Sequence, residues 1–388
     1  MARKVAVVVT ARPSYARVKT VLKAVKEHPD LELQLIVAAS ALLDRYGNVV
    51  EVMRADGFEP TMEVHMVVEG ETPLTSTKTV GLGIVEMSNV LHHLRPDVVI
   101  SVADRYETIT TAISGAYMNI PVAHIQGGEV TGSIDEKVRH AVTKLSDLHF
   151  VANESAATRV EKMGEHKGRI HVTGCPSIDL AAWVIAHAED PELNASLEVH
   201  VKRGVGEEID PTRSYIICMQ HPVTYEWTDA ATQVMETLIA VKESGIPCFW
   251  FWPNVDAGSD LTSKAIRAYR EQNEVRHVHF LKNMPPETFL SLMARSRCII
   301  GNSSAGIREA SFLGVPAINI GSRQLGRDCG INVMHVGHDH QEIGSALEQQ
   351  LAHGHYQSDS VYGDGLAGPR IADLLASLPL TTEKKLAY

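Results

Sequence analysis

The chain has 388 residues, of which 44% are hydrophobic. A chain of this length is too long for a single domain with one ordinary hydrophobic core and suits two domains. The formal net charge of -11 argues against nucleic acids and anionic membrane surfaces as partners, and no stretch approaches the length of a membrane span. The five cysteines show no CxxC spacing, which indicates reduced thiols in a cytoplasmic protein.

Short apolar, β-branched runs alternate with longer helical patterns along the first half of the chain. The predicted strands in this half are Val5–Thr10, Leu33–Ala38, Val98–Val102, Val122–Ile125, Leu148–Ala152 and Ile170–Thr173. The helical patterns between them include Tyr15–Glu27, Gly81–Leu94, Glu107–Tyr117 and Ile134–Leu145. Basic residues flank Val5–Thr10, but this run is too short for a signal peptide and lacks a cleavage site, so a first strand is predicted.

The charged, turn-rich stretch Pro191–Ser214 separates this series from a second one. The second series of predicted strands consists of Tyr215–Met219, Pro247–Trp252, Val278–Leu281, Cys298–Ile300 and Val315–Ile320. This alternation predicts an α/β protein with two doubly wound, Rossmann-like domains that face an inter-domain cleft. Because ligands of such sheets bind beyond the carboxyl ends of the strands, functional residues are expected in the loops that follow them.

Charged side chains follow the first and third predicted strands. Arg12 and Arg17 lie beside the start of a helix, where a phosphate or a carboxylate is favoured, and solvated arginines are the alternative. Asp104 follows the third strand as either a helix cap or a carboxylate directed at a ligand, and its position alone does not decide. No GxGxxG motif is present, so a dinucleotide is not indicated.

The loop after the fourth predicted strand reads HIQGGEVTGSIDE, residues 124–136. Ser133 and Glu136 match a capping box, which predicts that a helix begins just after Ser133. Ion-pair spacing joins Asp135 with Arg139 and Glu136 with His140. This account does not cover Gly127–Gly128, because paired glycines permit close backbone approach rather than stabilise a helix. Glu129 beside them is therefore a candidate general acid or base.

The strongest indication of a ligand site in the second half is the loop Gly301–Glu309. Small hydroxyls and a glycine open a helix directly behind a strand there, which is typical of a nest for phosphate oxygens. An ordinary N-cap explains one serine but not the whole loop. Weaker indications are the lone His221, the polar loop 252–259, and the cations Arg323 and Arg327.

Five histidines near the end of the chain lack the compact paired spacing of metal sites, so a polar surface is preferred and no metal is proposed. They are His335, His338, His340, His353 and His355. Spacing alone thus predicts a two-domain enzyme with an arginine-lined cleft, a phosphate nest and several candidate carboxylates. The reaction does not follow from it.

Taken together, these loops resemble the hydrolysing UDP-N-acetylglucosamine 2-epimerase family. The matching stretches, in the family's order, are RPSY from Arg12, DRYE from Asp104, HIQGGEVTGSID from His124, VRHA from Val138, GCPS from Gly174, HPVT from His221, WPNVDAGS from Trp252, GNSS from Gly301 and GSRQ from Gly321. The segment HIQGGEVTG resembles the hydrolysing branch rather than the reversible, non-hydrolysing one.

The resemblance implies a GT-B-like fold. Residues 1–176 would form an N-terminal domain with the catalytic acids, residues 177–366 a UDP-binding domain, and about 367–382 a helix that returns to the first domain. The implied nucleotide contacts are His221, Asn254, Ser303, Ser304, Glu309 and Arg323. Arg12 and Arg105 match further substrate-binding positions, and Arg17 stands where relatives often have lysine.

The family's reaction removes the proton at C2, expels UDP from C1 to give a 2-acetamidoglycal, and adds water while a proton returns to the other face of C2. The resemblance implies acid–base roles for Asp104 and Asp135. At a third position, usually glutamate, this chain has Gln126, and an amide does not exchange protons usefully at neutral pH. Three interpretations of Gln126 follow: Glu129 performs the role of the third acid, or the third acid is dispensable, or the protein is impaired. We prefer the first two jointly.

The resulting prediction is an enzyme without metal or other cofactor that converts a UDP-2-acetamido sugar into the free 2-epimeric sugar and UDP, for nonulosonic (sialic-acid-like) acid synthesis. The sequence does not distinguish UDP-N-acetylglucosamine, a UDP-diacetamido-trideoxy sugar and a GDP-linked analogue. The alternatives are a GT-B glycosyltransferase that uses a UDP-sugar and a non-catalytic nucleotide-sugar-binding protein, which Gln126 motivates. A homodimer or tetramer is expected from the family.

Overall fold

The computed structural model describes residues 2–44, 47–70, 72–131, 134–253, 258–272 and 276–387. The chain divides into two compact units. Unit 1 comprises residues 1–129, 134–179 and 362–388, and unit 2 comprises residues 130–133 and 180–361. The domain limits that the family resemblance implies stay a prediction. In the part of the chain given above, no helix is long and apolar enough to cross a membrane.

Unit 1 is built on a seven-stranded parallel sheet. Its strands are β1 (Arg3–Val9), β2 (Leu31–Ala38), β3 (Met62–Val64), β4 (Val98–Val102), β5 (Val122–Ile125), β6 (Leu148–Val151) and β7 (Ile170–Val172). They lie in the order β3-β2-β1-β4-β5-β6-β7, which is the doubly wound order of Rossmann-like sheets. In β1, Val7 belongs to one core cluster and Val8 to another, so helices bury both faces of the sheet.

Helices cover the two faces of this sheet. They are α1 (Arg12–Ala16), α2 (Lys19–Glu27), α3 (Val49–Ala55), α4 (Pro73–Leu94), α5 (Ile109–Tyr117), α6 (Ile134–Leu145), α7 (Glu154–Lys162) and the start of α8 (Pro176–Ala186). The single helix predicted over Tyr15–Glu27 is wrong, because Val18 leaves the helical conformation with φ -133° and ψ -4°. The predicted start of α4 at Gly81 is also wrong, because Thr72 and Thr75 form a capping box further upstream.

The last helix of the chain, α15 (Ala367–Ser377), belongs to unit 1. Ile371 and Leu375 join the core cluster that also contains residues of α2. Asp179 caps α15 from a distant part of the sequence: its Oδ1 accepts from Ala367 N at 2.8 Å and its Oδ2 from Gly368 N at 2.7 Å. The helix ends at Ser377 and therefore earlier than the predicted residue 382.

Unit 2 repeats the plan with a second seven-stranded sheet. Its strands are β8 (Val205–Gly206), β9 (Ile216–Met219), β10 (Cys248–Phe251), β11 (Val278–Leu281), β12 (Ile299–Gly301), β13 (Ala317–Ile320) and β14 (Val333–Val336). The order is β14-β13-β12-β9-β10-β11-β8, and β8 is antiparallel to β11. The predicted fold class, an α/β protein with two doubly wound sheets, is confirmed.

The helices of unit 2 are the rest of α8, α9 (Pro191–Val201), α10 (Ala230–Ser244), α11 (Ser259–Gln272), α12 (Pro286–Ala294), α13 (Glu309–Leu313) and α14 (His340–His353). Helix α9 contradicts the irregular structure predicted for Pro191–Ser214. Asp190 caps this helix, and Leu193, Leu197 and Val201 bury one side of it. Strands β3, β8 and β14 were not predicted, because they are short and their residues are largely exposed or half-buried.

Candidate active site

Asp104 lies two residues after the end of β4, and its carboxylate lies between two arginines. The side chain is buried; Oδ2 accepts a hydrogen bond from Arg139 Nη2, and Oδ1 lies 3.5 Å from Arg17 Nη1. Arg105, rather than Asp104, occupies the N-cap position of the next turn. This arrangement favours the interpretation of Asp104 as a functional carboxylate over that of a helix cap.

Arg139 of α6 is the centre of the acidic cluster in unit 1. It is 1% exposed, and besides Asp104 its Nη1 donates to Glu136 Oε2 and to the Glu129 carbonyl oxygen, both at 2.7 Å. Burial lowers the pKa of Arg139, but the charges of Asp104, Glu129 and Glu136 outweigh this effect and raise it. The charges of three carboxylates thus act on one guanidinium: Asp104 from the loop after β4, Glu129 from the loop after β5 and Glu136 from α6 itself.

Only part of this cluster was predicted from the sequence. Asp135 and Glu136 lie in the first turn of α6, as predicted, and Glu136 pairs with His140 at 3.1 Å. Asp135 is half-buried. The role of Arg139 was missed, although its spacing from Asp135 was noted, because its partners come from distant loops. Ser133, the predicted cap of this helix, lies outside the described residues.

The loop between β5 and α6 is shaped by left-handed backbone conformations. Gln126 has φ 67° and Gly128 has φ 74°. A Cβ atom on Gly128 would lie 2.3 Å from the Ala156 carbonyl oxygen of α7. Only glycine fits this position, and the close approach is to a helix of unit 1. Glu129, the next residue of this loop, is 4% exposed.

Gln126, the amide at the position for which the family resemblance implies a glutamate, is buried and donates from Nε2 to Cys175 Sγ at 2.9 Å. Cys175 Sγ lies 3.0 Å from Ser177 Oγ. Gln126 Oε1 is buried, and no hydrogen-bond partner for it occurs in the described part of the chain. The side chain is therefore fixed at its nitrogen and leaves one acceptor unused.

Two guanidinium groups lie near each other after β1 and β4. Arg12 opens α1, and Arg105 Nε donates to Glu107 Oε1 at 2.8 Å. Burial and, to a smaller extent, the charge of Arg105 lower the pKa of Arg12 to about 10. A bound anion would counteract both effects and raise this pKa.

In unit 2, Asn302 ties two predicted site loops together. Its Oδ1 accepts from His221 N at 2.8 Å and its Nδ2 donates to His221 O at 2.7 Å. Its carbonyl oxygen accepts from Arg323 Nη1 at 3.3 Å and from Gln324 Nε2 at 2.9 Å. Sequence reasoning did not single out Asn302, whose function is to hold His221 and Arg323 in place.

The predicted phosphate nest, Gly301–Glu309, lies behind β12. Its first turn is a 3₁₀ turn over Ser304–Gly306 rather than the predicted helix, with Ser303 as its N-cap. Ser304 Oγ accepts from Arg308 Nη2 at 3.0 Å. Glu309 is 8% exposed, and its Oε2 lies 3.9 Å from Arg308 Nε. This loop therefore combines half-buried serine hydroxyls with a buried carboxylate. Asn254, also predicted to bind the nucleotide, lies outside the described residues.

Among the described residues, one group could offer three metal ligands: Glu236, Asp339 and His340. Glu236 Oε2 already accepts from His340 Nδ1 at 2.7 Å and from His340 N at 3.0 Å. Asp339 Oδ1 caps α14. These contacts account for the group as an ion pair and a helix cap.

In each unit, the candidate residues thus lie in the loops that follow parallel strands. The chain is therefore an α/β protein of the class that binds ligands beyond the carboxyl ends of its strands. A family model described as UDP-N-acetylglucosamine 2-epimerase matches residues 23–376. The chain belongs to this family, and the predicted resemblance is confirmed.

Two relatives agree with this assignment, and a solved structure agrees with the fold. The UDP-N-acetylglucosamine 2-epimerase of Neisseria meningitidis serogroup B is 31% identical over 363 residues, 94% of this chain and 91% of the relative. The UDP-N,N'-diacetylbacillosamine 2-epimerase (hydrolyzing) of Legionella pneumophila is 30% identical over 383 residues, 99% of this chain and 98% of the relative. The structure of Methanocaldococcus jannaschii UDP-GlcNAc 2-epimerase in complex with UDP-GlcNAc and UDP matches with TM-score 0.79 at 18% identity, covering 96% of this chain and 99% of that one.

Proposed function

We propose that this chain is a hydrolysing 2-epimerase that converts a UDP-linked 2-acetamido sugar into the free 2-epimeric sugar and UDP. The observation that carries the proposal is the group of carboxylates around Arg139, since the reaction needs acids and bases at one carbon atom. The relative from Legionella pneumophila named as hydrolyzing, aligned over 99% of this chain, supports the hydrolysing type.

In the proposed reaction a carboxylate takes the C2 proton, and the C1–O bond breaks with its electron pair going to the diphosphate. A C1–C2 double bond forms in the resulting 2-acetamidoglycal. Water then adds its hydroxyl group to C1, while C2 receives a proton on the opposite face. We assign the proton transfers to Asp104 and Asp135 with help from Glu129, and the fixing of Asp104 to Arg139, which bonds it directly.

The nucleotide is assigned to loops of unit 2, and the anionic part of the substrate to three arginines of unit 1. The proposed contacts are Arg12, Arg17 and Arg105 for the anionic substrate, and His221, Asn254, Ser303, Ser304, Glu309 and Arg323 for UDP. The carboxylate of Glu309 supports this assignment, because its buried Oε2 accepts no hydrogen bond within the described ranges and suits a ribose hydroxyl.

The test is turnover in D₂O with three donors side by side: UDP-N-acetylglucosamine, a UDP-diacetamido-trideoxy sugar and a GDP-linked analogue. Proton and phosphorus NMR should detect free 2-epimeric sugar with deuterium at C2, together with free nucleoside diphosphate. An epimer still linked to UDP would indicate a non-hydrolysing enzyme. Free sugar with C2 unchanged would indicate a transferase acting on water, and tight UDP binding without turnover would indicate a binding protein.

The role of Glu129 can be separated from that of Gln126 in the same assay. Glu129→Gln should lower turnover on the order of 10²-fold, because Gln126 offers no spare carboxylate on this loop. Gln126→Glu should be tolerated. Near-full activity of Glu129→Gln would show that the Glu129 side chain is structural and that two aspartates suffice.

A further inference from the structure

His124, the first residue of the HIQGGEVTG segment, is fully buried in β5, yet both of its ring nitrogens have polar partners. Nε2 lies 2.9 Å from the Ala103 carbonyl oxygen, and Nδ1 lies 3.1 Å from Thr143 Oγ1. A carbonyl oxygen only accepts, so Nε2 carries the proton and Nδ1 accepts from the Thr143 hydroxyl. Burial lowers the pKa of His124 to about 4, so the ring is neutral near pH 7.

Ala103, the partner of Nε2, has a backbone conformation that needs external support. Its φ is 63°, a left-handed value that costs energy for any residue with a Cβ atom. Strained conformations of this kind persist where the surroundings determine them. Here β5 supplies both hydrogen bonds: Ala103 N donates to Ile125 O at 3.0 Å, and Ala103 O accepts from His124. The next residue in the chain is Asp104.

The second partner of the ring comes from the helix that also supplies Arg139. Thr143 lies one turn further along α6 than Arg139, so one helix fixes both the His124 ring and the Asp104 carboxylate. Gly127 leaves the space that this pair needs. A Cβ atom on Gly127 would lie 3.0 Å from His124 Nδ1 and 3.1 Å from Thr143 Oγ1. One of the paired glycines of the segment is explained in this way.

We propose that His124 is a positioning residue that holds the Ala103 carbonyl through Nε2–H and so sets the direction in which Asp104 presents its carboxylate. The Ala103 carbonyl fixes the tautomer, and Thr143 fixes the ring plane. This inference rests on the proposed function, in which Asp104 exchanges a proton with C2 of the sugar. His124 itself transfers no proton in this arrangement, because it is neutral, enclosed and engaged at both nitrogens.

Two substitutions of His124 separate the effects of its two hydrogen bonds. In His124→Gln the amide nitrogen reaches about as far as Nε2 and keeps the donor for Ala103. In His124→Asn the amide lies where Nδ1 was, so the contact with Ala103 is lost. His149→Asn is the matched control, because His149 is the neighbour of His124 on β6, is equally buried and pairs with Glu165 instead.

We expect His124→Asn to lower kcat on the order of 10²-fold, as misplacement of a catalytic group by about 1 Å does, while KM and the Kd for UDP change less than about threefold. His124→Gln should recover at least about tenfold of this loss. Thr143→Val, which keeps the shape but removes the hydroxyl, should lower kcat more than Thr143→Ser. His149→Asn should lower stability and leave kcat of the folded protein within about threefold of wild type.

Several results would overturn the proposal: equal kcat for His124→Asn and wild type, equal losses for the Gln and Asn variants, or a loss that circular dichroism attributes to unfolded protein. A shift of the pH–rate profile in His124→Asn supports it, since a merely structural defect lowers the amplitude alike at all pH values. ¹⁵N-histidine NMR of the wild-type protein reports the tautomer without any turnover. If NMR shows a neutral ring protonated at Nε2 but the protein never releases UDP, the proposed function alone is refuted. If NMR shows a ring protonated at Nδ1, the positioning role alone is refuted.

Discussion

Glu165 allows the energetics of unit 1 to be tested directly, because this buried carboxylate joins three segments of the chain. It is 3% exposed and accepts from His149 Nε2 at 3.0 Å. Lys144 Nζ of α6 lies 2.5 Å from one carboxylate oxygen, and Lys384 Nζ of the C-terminal segment lies 2.7 Å from the other. Burial alone would raise the pKa of Glu165, but these hydrogen bonds outweigh it and lower the pKa to about 2.

The size of the effect follows from this pKa. A folded-state pKa of about 2 against the ordinary 4.5 corresponds to roughly 3 kcal/mol at neutral pH, since each pKa unit is worth about 1.4 kcal/mol. Because the pKa is depressed in the folded state, this stability is present above pH 4.5 and is lost as the pH falls toward 2. Glu165→Gln should therefore destabilise unit 1 by about 3 kcal/mol at pH 7 and by less than half of that at pH 3.

The assay must report on unit 1 alone. All four tryptophans, Trp183, Trp227, Trp250 and Trp252, lie in unit 2, so tryptophan fluorescence serves as the internal control and should not change. Hydrogen exchange of peptides from β6 and α7 gives the opening free energy of unit 1. Glu161→Gln on the exposed side of α7 is the matched variant and should change it by less than about 0.5 kcal/mol. A loss below about 1 kcal/mol for Glu165→Gln, or an equal loss at pH 7 and pH 3, would refute the reasoning.

Three further predictions use other parts of the chain. Asp104→Asn should lower turnover of the UDP-sugar on the order of 10²-fold or more, with the Kd for UDP in calorimetry nearly unchanged; full activity would remove Asp104 from the site. Gly128→Ala should destabilise unit 1 by roughly 2 kcal/mol or more, whereas Gly57→Ala, with φ 83° but no atom within 4 Å of the new Cβ, should cost only about 1 kcal/mol; equal losses would contradict the close approach. The hydrogen bond from His340 to Glu236 raises the pKa of His340, so the stability it contributes is present below pH 6.5 and is lost at higher pH. His340→Asn should accordingly lower the Tm of unit 2 more at pH 6 than at pH 9, and a pH-independent difference would argue against this pair.

The sequence predicted the central strands and the loops that follow them, because buried parallel strands are continuous apolar runs. It did not predict the edge strand β14, whose residues are not fully buried, or helix α9, whose charged residues hid a narrow apolar stripe. In the site, Asp104 and Glu129 could be named from their places after strands. Arg139 could not, because its importance comes from partners that are brought to it only by the fold.

The contact between Gln126 and Cys175 bears on why an amide can stand at a position for which the family resemblance implies a carboxyl group. Gln126 donates a hydrogen bond to a sulfur atom, and an ionised glutamate at this place has no proton to donate. A protonated glutamic acid, which has nearly the same shape as glutamine, donates to the sulfur atom in the same way. Gln126 is thus a permanent equivalent of the neutral acid, and it adds no further charge to a unit that already gathers Asp104, Glu129 and Glu136 around one guanidinium. Burial favours the protonated form of the glutamate that Gln126→Glu introduces, and this form keeps the donor, which is why we expect the variant to be tolerated.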